Sequence, residues 1–139
     1  MTLTLDDASS IARHAFALAQ AQNLSVMSVV ITDAGGHIRL AMRSDAQGIF
    51  GVDTALGKAR TALGFNRATM HLSKVFTDPC GVAALSGATA GAFVPLGGGV
   101  VVQRDGVTVG AAAISGGLPQ VDHDLITAAV ESAGLATLV

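Results

Sequence analysis

Near the C-terminal end of the chain Asp122, His123 and Asp124 stand side by side. A carboxylate next to an imidazole suits proton transfer, and an imidazole by itself suits ligation of iron. Three more histidines, His14, His37 and His71, are scattered upstream, with no His-x-x-x-His pair and no carboxylate triad at zinc spacing. Three cations are placed to hold an anion or a carboxylate: Arg43, just past a strand and close to Asp45, and Lys58 and Arg60. The last two lie on a helix whose other side is almost entirely Ala and Gly. A side so poor in polar groups has little reason to hold a cation unless a partner carboxylate or an anionic ligand meets it. The single Cys80, in the loop TDPCG, reads as a small half-buried hydrophobe.

The elements that must position these groups follow from periodicity. LDDASSIARHAFALAQAQN reads as a helix with acidic residues in its first turn and Leu5, Ala8, Ala12, Ala15, Phe16 and Ala19 on one face. His14 lies near that stripe as a partly buried helix residue. Two β-rich runs, 26–32 and 37–42, flank Asp33-Ala34-Gly35-Gly36, a hairpin turn that leaves His37 at the start of the second strand. Helices are expected over 52–65, with Ala55, Ala59 and Ala62 on one stripe, and over 68–76, where Lys74 follows His71 by three residues. Residues 77–92 read as a loop with at most one helical turn. Two further strands, 100–102 and 107–114, meet at an Arg104-Asp105-Gly106 turn, and a final helix is expected from Asp122, acting as its cap, to Ala136. Gly97-Gly98-Gly99 precedes a strand rather than joining a strand to a helix, so it reads as a turn or bulge and not as a phosphate loop. Helix, hairpin, helices, hairpin, helix is the order of an α+β domain with an antiparallel sheet flanked by helices, of the profilin-like or PAS-like type.

Composition narrows the function. A chain of 139 residues is the size of one domain. Half its residues are apolar but only 4% are aromatic, and the net charge is −2, so there is neither a basic footprint nor a stacking platform for nucleic acid. No basic N-terminal region leads into an apolar run, and no window is apolar enough to span a membrane, so a cytoplasmic location is expected.

VVITDAGGHIRLAMRSDAQGIFGVDTALGKARTALGF followed by VGAAAISGGLPQVDHDL resembles the GlcG/HbpS family, the haem-binding-like domain also found as the C-terminal part of PduO-type corrinoid adenosyltransferases. The shared pattern falls on Asp33 and Gly36, Arg43 and Asp45, Lys58-Ala59 with Thr61-Ala62, then Gly110, Ser115, Gly116, Gly117 and Asp122. The resemblance implies an oligomer, from dimer to octamer, that binds haem or a related tetrapyrrole. This chain departs from the pattern at His123, where Glu is usual, and at Gly99-Val100, where Pro is common.

Two readings follow. In a haem-binding module, His71 or His123 is the axial ligand, Arg43, Lys58 or Arg60 meets the propionates, and His37 and the Ser115-Gly116-Gly117 bend add contacts. In a cofactor-free lyase, isomerase or hydrolase, a cation clamps a small carboxylate, His123 moves a proton, and Asp122, Asp124 or Asp33 assists. An oligomeric accessory protein is a third reading.

Overall fold

The computed structural model describes residues 2–138 and forms a five-stranded antiparallel sheet wrapped by five helices. Helix α1 (Leu5–Ala21) precedes the hairpin β1 (Ser28–Asp33) and β2 (Ile38–Arg43). Helices α2 (Gly51–Phe65), α3 (Thr69–Val75) and α4 (Pro79–Ala88) lead to a second hairpin, β3 (Gly99–Arg104) and β4 (Val107–Ser115). Helix α5 (Pro119–Ser132) and the short β5 (Ala136–Leu138) complete the chain. The strand order β2-β1-β4-β3-β5 joins the two hairpins by pairing β1 with β4, so the longest, greasiest strand is central.

The alternation of strand side chains gives the sheet two unlike faces. Val29, Ile31, Val100, Val102, Ala112 and Ile114 form the larger core under α1 and α5. Val30, Ala111 and Ala113 point the other way, onto Ala55 and Ala59 of α2. Small residues on both sides let α2 lie close to the sheet. At Gly99 the approach is closest, because a Cβ there would stand 2.5 Å from the Lys58 carbonyl oxygen. That contact explains why the third glycine of the triplet is needed.

Four local expectations are corrected. Residues 79–88 are a helix, begun by Asp78, whose carboxylate accepts from the Cys80 and Gly81 N–H groups, with Pro79 at the first helical position. This helix buries no residue, so it lacks the apolar stripe by which helices are recognised. Cys80, on its first turn, is exposed rather than half-buried. The last helix starts at Pro119 and not at Asp122, and it stops at Ser132 because Gly134 takes positive φ (81°) and turns the chain into β5. In α1 the buried stripe is completed by Ile11, while Leu5 is exposed.

The start of α1 is held by a capping box in which Thr4 and Asp7 exchange hydrogen bonds. Arg104 at the end of β3 donates to the Asp7 carboxylate at 2.8 Å, clamping the helix to the sheet. Burial pushes the Asp7 acid up, but the Thr4 N–H and Arg104 outweigh it and hold it below its ordinary 3.8. A carboxylate lowered on folding stabilises the protein above its unfolded value, and that contribution is lost as pH falls through the folded one. Asp7→Asn is therefore expected to lower stability near neutral pH by about 1 kcal/mol, in line with a lost cap. Urea unfolding at a series of pH values checks this: wild type must lose more stability than the variant between about pH 5 and pH 2.

Candidate functional site

Lys58, on α2, and Asp122, on the first turn of α5, meet in the interior. Lys58 is 3% exposed and Asp122 is 2% exposed. The Lys58 Nζ donates to Asp122 Oδ2 at 3.2 Å and to the Ile114 carbonyl at 2.9 Å, while Asp122 Oδ1 accepts the Gly117 N–H at 3.1 Å. Burial pulls the Lys58 ammonium below its ordinary range and pushes the Asp122 acid above its own; each partner opposes the other's shift. Asp122 is thus neither the cap of α5 nor an orienting group for His123. Lys58, committed inside, is not free to meet a propionate. Ser115 is also turned inward, its hydroxyl donating to the Gly51 carbonyl at 3.0 Å. Gly116 and Gly117, with Asp122, line a 220 Å³ pocket walled on one side by the α1–β1 connection.

On the other side of the first turn of α5 lies a groove of 370 Å³. His71 and Lys74 of α3 face His123 and Gln120 of α5 across it, with Met70 and Ala68 beside them. The two candidate iron ligands, distant in sequence, therefore border one space. His123 Nδ1 is buried and has no hydrogen-bond partner. Asp124, the other carboxylate expected to help it, accepts instead from Gln120 at 2.9 Å. Among the described residues no group of three His, Cys, Asp or Glu side chains gathers to hold a bare metal ion.

The remaining candidates cluster at the first hairpin. Asp33 accepts the Gly35 and His37 N–H groups at 2.9 and 3.0 Å, and these bonds, that from His37 foremost, hold its acid below the ordinary value. The His37 ring is 80% exposed, 3.4 Å from the same carboxylate. Arg60 donates through Nε to the Gly36 carbonyl at 3.0 Å and borders a separate 340 Å³ cleft with residues 34–36. Asp33 is consequently a turn-forming residue that shares no cavity with His123. Arg43 is exposed and forms no ion pair with Asp45. His14 donates to the Ser10 carbonyl at 2.8 Å as a partly buried helix residue.

Met70, Lys74 and Gln120 were not singled out as groove residues by sequence reasoning. The only signal was the spacing of His71 and Lys74, which places both on one helix face. For the α1–β1 connection that walls the smaller pocket there was no signal at all.

A five-stranded antiparallel sheet in this order, covered by helices on both faces, defines an α+β domain. The same architecture is found in the crystal structure of a PduOC:heme complex, 29% identical with a TM-score of 0.89 over 100% of both chains. A double mutant of Streptomyces reticuli HbpS is similar as well, at 26% identity and a TM-score of 0.80 over 94% of this chain and 86% of that one. The chain belongs to the HbpS-like family: the family model described as "Haem degrading protein HbpS-like" matches residues 3–131. In sequence it is 33% identical over 122 residues to the corrinoid adenosyltransferase PduO of Salmonella typhimurium, covering 87% of this chain and 36% of that protein. It is 29% identical over 130 residues to a 15.0 kDa protein of the dhaT-dhaS intergenic region of Citrobacter freundii, covering 94% of this chain and 91% of that one. The chain spans 36% and 41% of the length of the two PduO proteins it matches. No helix among the described residues is long and apolar enough to cross a membrane.

Proposed function

We propose that this protein is a small-ligand-binding module whose ligand is haem or a related tetrapyrrole, held at the groove between α3 and α5. The observation that carries the reading is that His71 of α3 and His123 of α5 border one groove. Imidazole is a ligand of haem iron, and Lys74 on the same wall is a cation suited to a propionate. Bound there, a haem would bring the redox and ligand-binding chemistry of its iron, and the chain would supply the axial nitrogen, the charge and the shape. The likeness to the PduOC:heme complex supports the same ligand class. A groove of 370 Å³ covers only part of a macrocycle, so the remaining face is left for a second copy in a homo-oligomer. The general-base reading of His123 loses its support, since Asp122 and Asp124 both have other partners.

Haemin titration followed in the Soret region tests this. Wild type is expected to shift and sharpen the band at one haemin per chain. His123→Ala and His71→Ala are each expected to weaken binding about tenfold or more, and the double variant to abolish the shift. A Soret shift that survives loss of both histidines would overturn the assignment of the groove.

A further inference from the structure

We propose that the 220 Å³ pocket between the α1–β1 connection and the start of α5 binds a small neutral aliphatic alcohol, one or more hydroxyls on a short hydrocarbon chain. This site shares no lining residue with the His71–His123 groove, so it stands or falls independently of the haem reading.

The pocket is shaped by backbone. Gly116 has φ 128°, and a Cβ on it would stand 2.4 Å from the Val26 carbonyl oxygen, so only glycine lets β4 end against residues 23–27 and form the pocket floor. Leu24, Val26, Met27 and Leu125 make most of its wall apolar, which favours a hydrocarbon chain. The buried polar side chain in the wall is that of Asp122. One of its oxygens takes Lys58 and the other takes the Gly117 N–H, but a carboxylate has about four lone-pair sites, leaving acceptor capacity for a ligand donor.

Charge selects the class of donor. A ligand carboxylate would face the Asp122 carboxylate in a partly dry site, and a ligand ammonium would compete with Lys58, which already balances that charge at 3.2 Å. A hydroxyl donates without either conflict. Asn23 and Ser25, both exposed at the mouth, offer an amide and a hydroxyl to a second hydroxyl of the ligand. Size is consistent: a cavity of about 150 Å³ accepts benzene, so this one has room for roughly six to eight non-hydrogen atoms.

The test is a titration of amide NMR signals with butane-1,3-diol, butyrate and butylammonium, three probes of one chain length and different charge. The diol is expected to move the signals of residues 23–27, Gly116 and Gly117 with saturation, and the two ions to bind about tenfold more weakly, the equivalent of one hydrogen bond to a charged group. Ser25→Trp, a change at an exposed position that fills the mouth, is expected to abolish the diol response while leaving the amide spectrum folded and the haemin response intact. Butyrate binding as well as the diol, diol shifts that survive Ser25→Trp, or an absence of saturable shifts at these residues would each overturn the proposal.

Discussion

Lys58→Met is expected to destabilise the protein by about 3–5 kcal/mol, because it leaves the Asp122 carboxylate charged and uncompensated inside. Asp122→Asn is expected to cost a similar amount for the mirror reason, the stranded charge now being the Lys58 ammonium. Domains of this size are stable by about 5–15 kcal/mol, so either loss is a large share of the whole. The double variant Lys58→Met/Asp122→Asn carries no buried charge and keeps an acceptor for the Gly117 N–H, and it is expected to regain more than half of the single-variant loss. Urea unfolding of the four proteins measures the coupling, and additive losses would show that the pair is not the cause.

The pH dependence has the opposite sense to that of Asp7. Asp122 has its acid raised by burial, so protonation in acid favours the folded chain more than the unfolded one. Lys58, lowered by burial, gains relative stability only as pH rises through its folded value. The acid limb of the stability curve is accordingly governed by lowered groups such as Asp7, whereas Lys58→Met removes the charge that opposes the rise of the Asp122 acid, so the loss it causes is expected to shrink as pH falls.

Gly99→Ala is expected to cost about 3 kcal/mol, at the upper end of penalties for overpacking. The added methyl would meet the Lys58 carbonyl oxygen at 2.5 Å and its carbonyl carbon at 2.8 Å, and these are backbone atoms that no rotamer change can move aside. Relief requires α2 to lift from β3. That movement loosens Ala55 and Ala59 against Val30, Ala111 and Ala113, and it stretches the reach of Lys58 to Asp122. A fall in the urea midpoint at unchanged slope is the expected result. Gly64→Ala on the same helix, where an added Cβ meets nothing within 4 Å, serves as the control and is expected to be neutral or slightly stabilising.

Much of the fold was legible because periodicity reports burial directly. The Ala55, Ala59 and Ala62 stripe follows from which side of α2 is apolar, and the two hairpins follow from β-rich runs on either side of glycine-bearing turns. Helix α4 was illegible for the same reason: with no buried residue it has no stripe, and its Asp78-Pro79 start is only a local signal. Strand β5 is three residues long, too short to alternate visibly, and it exists because it pairs with β3.

The site divides along the same line. The family resemblance makes His71 and His123 iron-ligand candidates, and residue types alone say that Lys58, on a helix otherwise lined by Ala and Gly, needs a carboxylate or an anion. Which carboxylate answers Lys58 was decided only when the pairing of β1 with β4 and the seating of α2 brought it to Asp122, 64 residues away in the chain. Asp122 then ceased to be a helix cap, and His123 lost its expected helper and came to border one groove with His71. A local pattern records which face of an element leaves water. What that face meets depends on how distant elements pack, and pockets and charge pairs are properties of that meeting.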